Sequence, residues 1–147
     1  MKAIVWIIMA FVAGAFLPIQ AGLNTRVGKL IESPVNASLV SFVVGAFVVL
    51  AFSLVTNQHV TWAGLKTAPA YLWLPGFLGA FYVTTIILAF PRIGAPLTFG
   101  LVVAGQMIVS VILDHFKILV AQQQSIDIWK ILGVLLVVSG VVIIRKF

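Results

Sequence analysis

The chain of 147 residues is 63% hydrophobic and 8% charged, with a formal net charge of +6 and a mean hydropathy of +1.24. A soluble domain is charged at about a quarter of its positions, so this composition excludes one and indicates a single integral membrane unit. The basic residues are scattered over connections and ends with no run longer than Arg145-Lys146, which argues against nucleic acid as a partner, and the absence of cysteine excludes disulfides, thiolate catalysis and cysteine metal sites.

Five apolar stretches read as membrane-spanning helices: Ala3 to Leu23, Pro34 to Thr56, Ala70 to Phe90, Ala95 to Leu113 and Ile126 to Ile144. At about 1.5 Å per residue each crosses a hydrocarbon core of about 30 Å. Met1-Lys2 before an apolar run imitates a secretory signal, but four further spans follow and the first is long enough to cross by itself, so it is expected to be retained. No connection is long enough to fold alone, which predicts one five-helix transmembrane domain over residues 1–147.

In the first span Pro18 frees a carbonyl one turn earlier and bends the helix. Gln20 and Asn24 follow on one face at i and i+4. Arg26, Lys29 and Glu32 read as a short connection, and Ser33-Pro34 as a capped helix start. Ser38, Ser41 and Gly45 give the second span a stripe of small residues that admits a neighbouring helix. Trp62, Tyr71 and Trp73 read as an interfacial aromatic belt before the third span.

Tyr82 lies near the middle of the third span, with Thr85 on the same face, and a phenol at that depth needs a partner or a water-lined cavity. The turn around Pro91-Arg92-Ile93-Gly94 is short enough to make spans three and four antiparallel neighbours. Gln106, Ser110 and Asp114 form a polar stripe along the fourth span, and Asp114-His115 is the one acid-imidazole pair. The run Gln122-Gln123-Gln124-Ser125 reads as loop, with Ser125 as helix cap and Asp127 in the first turn of the last span. Gly133 and Gly140, seven apart, put a packing face on that helix.

Orientation is nearly undetermined by charge. Alternating spans place Lys2, Lys66, Lys117 and Lys130 on the side of the N-terminus and Arg26, Lys29, Arg92, Arg145 and Lys146 on the other. Short basic flanks set topology, and a bias of one charge is too small to do so. Either both orientations are made or a partner chain decides. No internal repeat is evident, although many carriers build a midplane site from two repeats of inverted topology. An odd number of spans inverts when a second copy is added, so the missing repeat is expected to be another chain.

Gln106 is the first candidate for substrate binding, because a mid-membrane amide persists only where it finds a hydrogen-bond partner or water; a structural bond between helices is the equal alternative. Gln20, Asn24, Tyr82, Ser110 and Thr85 complete the candidate lining, with a frayed helix end as the competing reading of Asn24 and simple packing that of Tyr82. Asp114 and His115 read as a proton switch or, being close to an interface, as an anchor for a neighbouring segment. No nucleophile constellation, paired carboxylates, phosphate loop or metal-ligand cluster supports an enzyme, a metal or a cofactor.

Read together, Pro18-Ile19-Gln20-Ala21-Gly22-Leu23-Asn24, Ser33-Pro34 with Ser41-Phe42 and Gly45, Gly79-Ala80-Phe81-Tyr82-Val83, Val103-Ala104-Gly105-Gln106 and Leu113-Asp114-His115-Phe116 resemble the YdcZ-type family of bacterial inner-membrane proteins in the drug/metabolite transporter superfamily. The resemblance runs over essentially the whole chain. It implies an all-α integral membrane protein that is half of a ten-helix inverted-repeat transporter in the inner membrane, the family working as an antiparallel homodimer, a pair of oppositely oriented homologues or a fused ten-helix protein. One departure is Lys117, where the pattern leads to glycine. Small multidrug carriers of the superfamily exchange protons through a glutamate in the first helix; the nearest polar residue here is Gln20, which does not titrate.

The expected function is therefore secondary transport of a small neutral or zwitterionic metabolite by alternating access, since the midplane groups are Gln, Tyr, Thr and Ser without a charge. The alternatives are a small dual-topology ion channel and a non-transporting partner subunit for an inverted homologue.

Overall fold

The computed structural model describes residues 2–61, 63–120 and 124–147, with Lys2 placed by its backbone alone. Trp62 of the aromatic belt and Gln122 and Gln123 of the loop lie outside the described residues. Among the described residues the protein is all-helical: α1 (Lys2–Leu30), α2 (Pro34–Val55), a short α3 (Ala63–Lys66), a 3-10 turn (Ala70–Trp73), α4 (Leu74–Ile93), α5 (Ala95–Phe116) and α6 (Ile128–Lys146). Five of these segments are long and apolar enough to cross a membrane, the 3-10 turn and α4 counting as one. Their surfaces are what a bilayer requires, with large side chains such as Trp6, Phe11 and Phe47 standing 68%, 77% and 67% exposed.

The helices fall into two compact units, Met1–Pro91 and Arg92–Phe147. In the first, α1 runs seven residues past the predicted end at Leu23, so that Asn24, Arg26 and Lys29 are helical rather than parts of a frayed end or connection. Local chemistry explains the extension. Thr25 Oγ1 donates to the Ala21 carbonyl at 2.8 Å, and exposed Lys29 sits in the last turn, where a cation offsets the helix dipole. The helix is continuous through Pro18.

Ser33 opens α2 as expected: its backbone is extended, its Oγ accepts from the Asn36 N–H at 3.2 Å, and Pro34 occupies the first turn. The turn between α1 and α2 is tight enough to lay the two helices side by side. Gly28 allows the closest approach, since a Cβ there would sit 3.4 Å from Pro34 Cα and 3.5 Å from Ala37 Cβ. One helical turn further, Asn24 Nδ2 donates to Ser41 Oγ at 3.2 Å. Each step back by four along α1 is matched by a step forward by four along α2. The buried residues Ala21, Ala37, Ile86 and Ile87, with Asn24, Thr25 and Ser38, form the small core of this unit.

In the second unit α5 and α6 pack through Gly100 and Val141, a Cβ at Gly100 falling 3.0 Å from Val141 Cγ2. Gly94, the single residue between α4 and α5, holds φ 79° and ψ 161°, a region open essentially to glycine, and its carbonyl accepts both Thr98 N–H at 3.1 Å and Thr98 Oγ1 at 2.6 Å. The cap of α6 differs from expectation. Asp127, not Ser125, is the N-cap, accepting from the Lys130 N–H at 2.8 Å, and the helix begins at Ile128. A carboxylate makes the stronger charge-assisted bond to the orphan amide, leaving the Ser125 carbonyl to accept from Lys130 Nζ at 3.1 Å.

Three helices end in the same way. After α1, α2 and α5 a residue with positive φ, respectively Glu32 (53°), Asn57 (49°) and Lys117 (53°), closes the last turn. In each case the next amide reaches back five residues: Ser33 N to Gly28 O at 3.0 Å, Gln58 N to Ser53 O at 3.1 Å and Ile118 N to Leu113 O at 2.9 Å. These are Schellman caps, whose left-handed position is normally glycine. Lys117 thus fills a position that glycine would fill without strain, and α5 ends at Phe116, two residues beyond Asp114.

Two outcomes follow. Lys117→Gly raises the stability of the detergent-solubilised protein by about 0.5–1 kcal/mol, the left-handed penalty less the glycine entropy cost, read from thermal or denaturant unfolding. Gly100→Leu drives a branched side chain into Val141 and costs about 1–3 kcal/mol as overpacking does; Gly76→Leu, at a glycine whose added Cβ meets nothing within 4 Å, leaves the midpoint unchanged.

Candidate functional site

The four-residue ladder between α1 and α2 continues past Asn24 and Ser41 to Gln20 and Gly45, and there the packing opens. A cavity of about 460 Å³ is lined by Gln20 of α1, by Ser41, Phe42, Gly45, Ala46 and Val49 of α2 and by Val83 of α4. Gly45 borders open space in it: a Cβ there would meet nothing within 4 Å. Gln20 is exposed, and no hydrogen bond engages its amide among the described residues. Every lining residue is uncharged.

Beside the cavity runs a set of satisfied polar groups. Asn24 is buried, 9% exposed, and tied to Ser41. Ser38, 5% exposed, shares a hydrogen bond of 2.8 Å with Thr84 of α4 and donates to the Val35 carbonyl at 2.7 Å. Gly79 of α4 rests against the Phe42 ring, a Cβ there lying 3.4 Å from Phe42 Cζ. The stripe of Ser38, Ser41 and Gly45 therefore serves three purposes: a bond to α4, a bond to α1 and an opening.

Of the residues singled out in the sequence, the structure brings together Gln20, Asn24 and Ser41 in this first unit. Tyr82 is half-buried, and its hydroxyl is buried without a hydrogen-bond partner among the described residues. Thr85 is exposed; its neighbour Thr84, which sequence reasoning passed over, carries the interhelical bond. Spacing within α4 alone does not distinguish them, because the difference lies in which one meets Ser38 of α2.

Gln106 and Ser110 lie on α5 in the second unit, both exposed. Ser110 Oγ donates to the Met107 carbonyl of its own helix at 3.1 Å. Asp114 and His115 are half-buried near the end of α5. His115 Nδ1 accepts from the Ile126 N–H at 3.3 Å and the Asp114 carbonyl from the Gln124 N–H at 3.2 Å, so the pair holds the segment leading into α6. Gly140 lines an apolar groove of about 390 Å³ with Gly100, Val103 and Val141, while Gly133 is exposed. Among the described residues no group of three or more His, Cys, Asp or Glu side chains is placed to hold a metal ion.

Residues 5–143 match the family described as "Putative inner membrane exporter, YdcZ". The chain is also 31% identical over 108 residues to the inner membrane protein YdcZ of Escherichia coli strain K12, an alignment covering 71% of each chain. The chain belongs to the YdcZ family. No solved structure matches it. Membership and five apolar helices make it a multi-pass protein of the inner membrane, in contact with the lipid bilayer, and its class is that of a membrane transporter.

For this YdcZ family member the Asn24–Ser41 bond is the testable join between the cavity and the helix pair. Asn24→Leu removes it and costs about 0.5–1.5 kcal/mol, the range of interhelical hydrogen bonds in membranes, measured as a lower unfolding midpoint; Ser41→Ala in the Asn24→Leu background adds little further.

Proposed function

We propose that the protein is a secondary transporter of a small neutral or zwitterionic metabolite, working by alternating access as an antiparallel homodimer. The observation that carries the reading is the cavity beside Gln20: an unbonded amide and a serine hydroxyl face an open space in a membrane helix unit, with no charge on its walls. An amide in hydrocarbon costs free energy until something meets it, and a translocated polar molecule is a natural partner. The family description as an exporter supports movement out of the cell.

In this reading residues 1–147 act as one five-helix domain. Gln20, Asn24, Tyr82 and Thr85 of the first unit and Gln106 and Ser110 of the second are the candidate substrate-binding side chains, and Gly133 and Gly140 give α6 a face for the inverted partner. The near balance of four basic residues against five supports insertion in both orientations. Two identical inverted chains make the outward and inward states the same structure seen from opposite sides. The contacts of His115 and of the Asp114 carbonyl support the pair as an anchor for the segment leading into α6.

The natural absence of cysteine makes the topology directly measurable. Single Lys2→Cys and Lys146→Cys proteins in intact membrane vesicles are expected to be labelled equally from both faces by an impermeant maleimide. Labelling of each terminus from one face only, in a purified homodimer, excludes the antiparallel arrangement. In proteoliposomes Gln106→Ala is expected to lower flux at least tenfold; transport of a permanent cation that ignores this change would overturn the substrate class.

A further inference from the structure

We infer that the cavity between α1, α2 and α4 is a specificity pocket for uncharged amphipathic molecules, with Gly45 setting the size it admits. This rests on the transport reading and narrows it, excluding zwitterions as well as cations.

The argument starts from the hydrogen-bonding groups that the walls leave unused. Ser41 Oγ accepts the Asn24 amide, so its own proton remains to be donated. Gln20 makes no hydrogen bond among the described residues and offers two donors and a carbonyl acceptor. The pocket can therefore bind a ligand group that both donates and accepts, such as an amide or an alcohol. It offers nothing to a full charge, since Phe42, Gly45, Ala46, Val49 and Val83 supply the rest of the lining, and an ammonium or carboxylate without a counter-ion is costly at this depth.

The arrangement along α2 is directional. Ser41, Gly45 and Val49 follow one another at four-residue intervals on one face, each step rising about 6 Å, with Gln20 reaching the level of Gly45 by the helix register. The polar groups thus lie toward the hairpin between α1 and α2, and the apolar walls extend beyond them. A ligand places its hydrogen-bonding end at Ser41 and Gln20 and its apolar body against Phe42, Ala46 and Val49. The volume of about 460 Å³ is within the usual range for small-molecule sites. Gly45 is where that volume can be removed without disturbing the fold, because an added side chain enters empty space.

The test uses three probes with one indole body and different charge: N-acetyltryptophanamide, neutral; tryptophan, zwitterionic; and tryptamine, cationic. Equilibrium binding of the tritiated compounds to the full-length protein in lipid nanodiscs is expected to favour the neutral amide at least tenfold over the other two. Gly45→Leu is expected to lower that binding at least tenfold and Gln20→Ala several-fold, whereas Gly76→Leu, an equally unobstructed glycine away from the cavity, leaves it unchanged. No binding of the neutral amide, a preference for tryptamine, or equal binding by Gly45→Leu and wild type overturns the inference. So does a Gly45→Leu protein whose change is in oligomeric state with binding intact, which would assign the cavity to a second copy of the chain. Counterflow of N-acetyltryptophanamide in proteoliposomes separates the two readings: binding with the expected pattern but no flux refutes transport and retains the pocket, and flux abolished by Gln106→Ala but untouched by Gly45→Leu does the reverse.

Discussion

The contact of Gly28 with Pro34 and Ala37 sets the register on which the rest of the first unit depends. A bilayer supplies no hydrophobic pressure between helices, because lipid tails are as apolar as the side chains they replace, so association rests on close packing and interhelical hydrogen bonds. Glycine against alanine gives the closeness. The tight turn closed by Glu32 and Ser33 then leaves α1 and α2 one relative alignment, and each later rung follows from it: Asn24 against Ser41, then Gln20 over Gly45.

The same alignment explains why polar residues here have such different fates. Asn24, Ser41, Ser38 and Thr84 find one another and are buried or nearly so. Gln20, a single turn from Asn24 on the same helix face, is left facing the cavity because its opposite number is a glycine. In water the difference would be small. In hydrocarbon an unmet amide is a standing demand for a partner, which is why a residue in this position is informative about function.

The second unit uses the same means with a different result. Gly100 lets α5 close on Val141 of α6, but the groove that remains beside Gly140 and Val103 is apolar throughout. Its polar groups are spent on local structure: Thr98 on the Gly94 carbonyl, Ser110 on its own helix, His115 and Asp127 on holding the start of α6. Gln106 stands apart from these, exposed on α5.

By itself the amino-acid sequence determined the five membrane spans, the starts of α2 and α5 at their proline-bearing turns, the balance of basic flanks and the family. These depend on runs of hydropathy and on residues next to one another in the chain. It placed the end of α1 seven residues early and gave α6 the wrong cap, because helix ends are settled by which competing polar group reaches the orphan backbone first. Gln20 and Asn24 were legible as a polar face; that one is bonded and the other open was not. The choice of Thr84 over Thr85 and the use of Gly45 as an opening were equally hidden. Only the tertiary structure decided these, since a hydrogen bond or a void between helices depends on the register of two segments far apart in sequence, and no pattern within either segment encodes it.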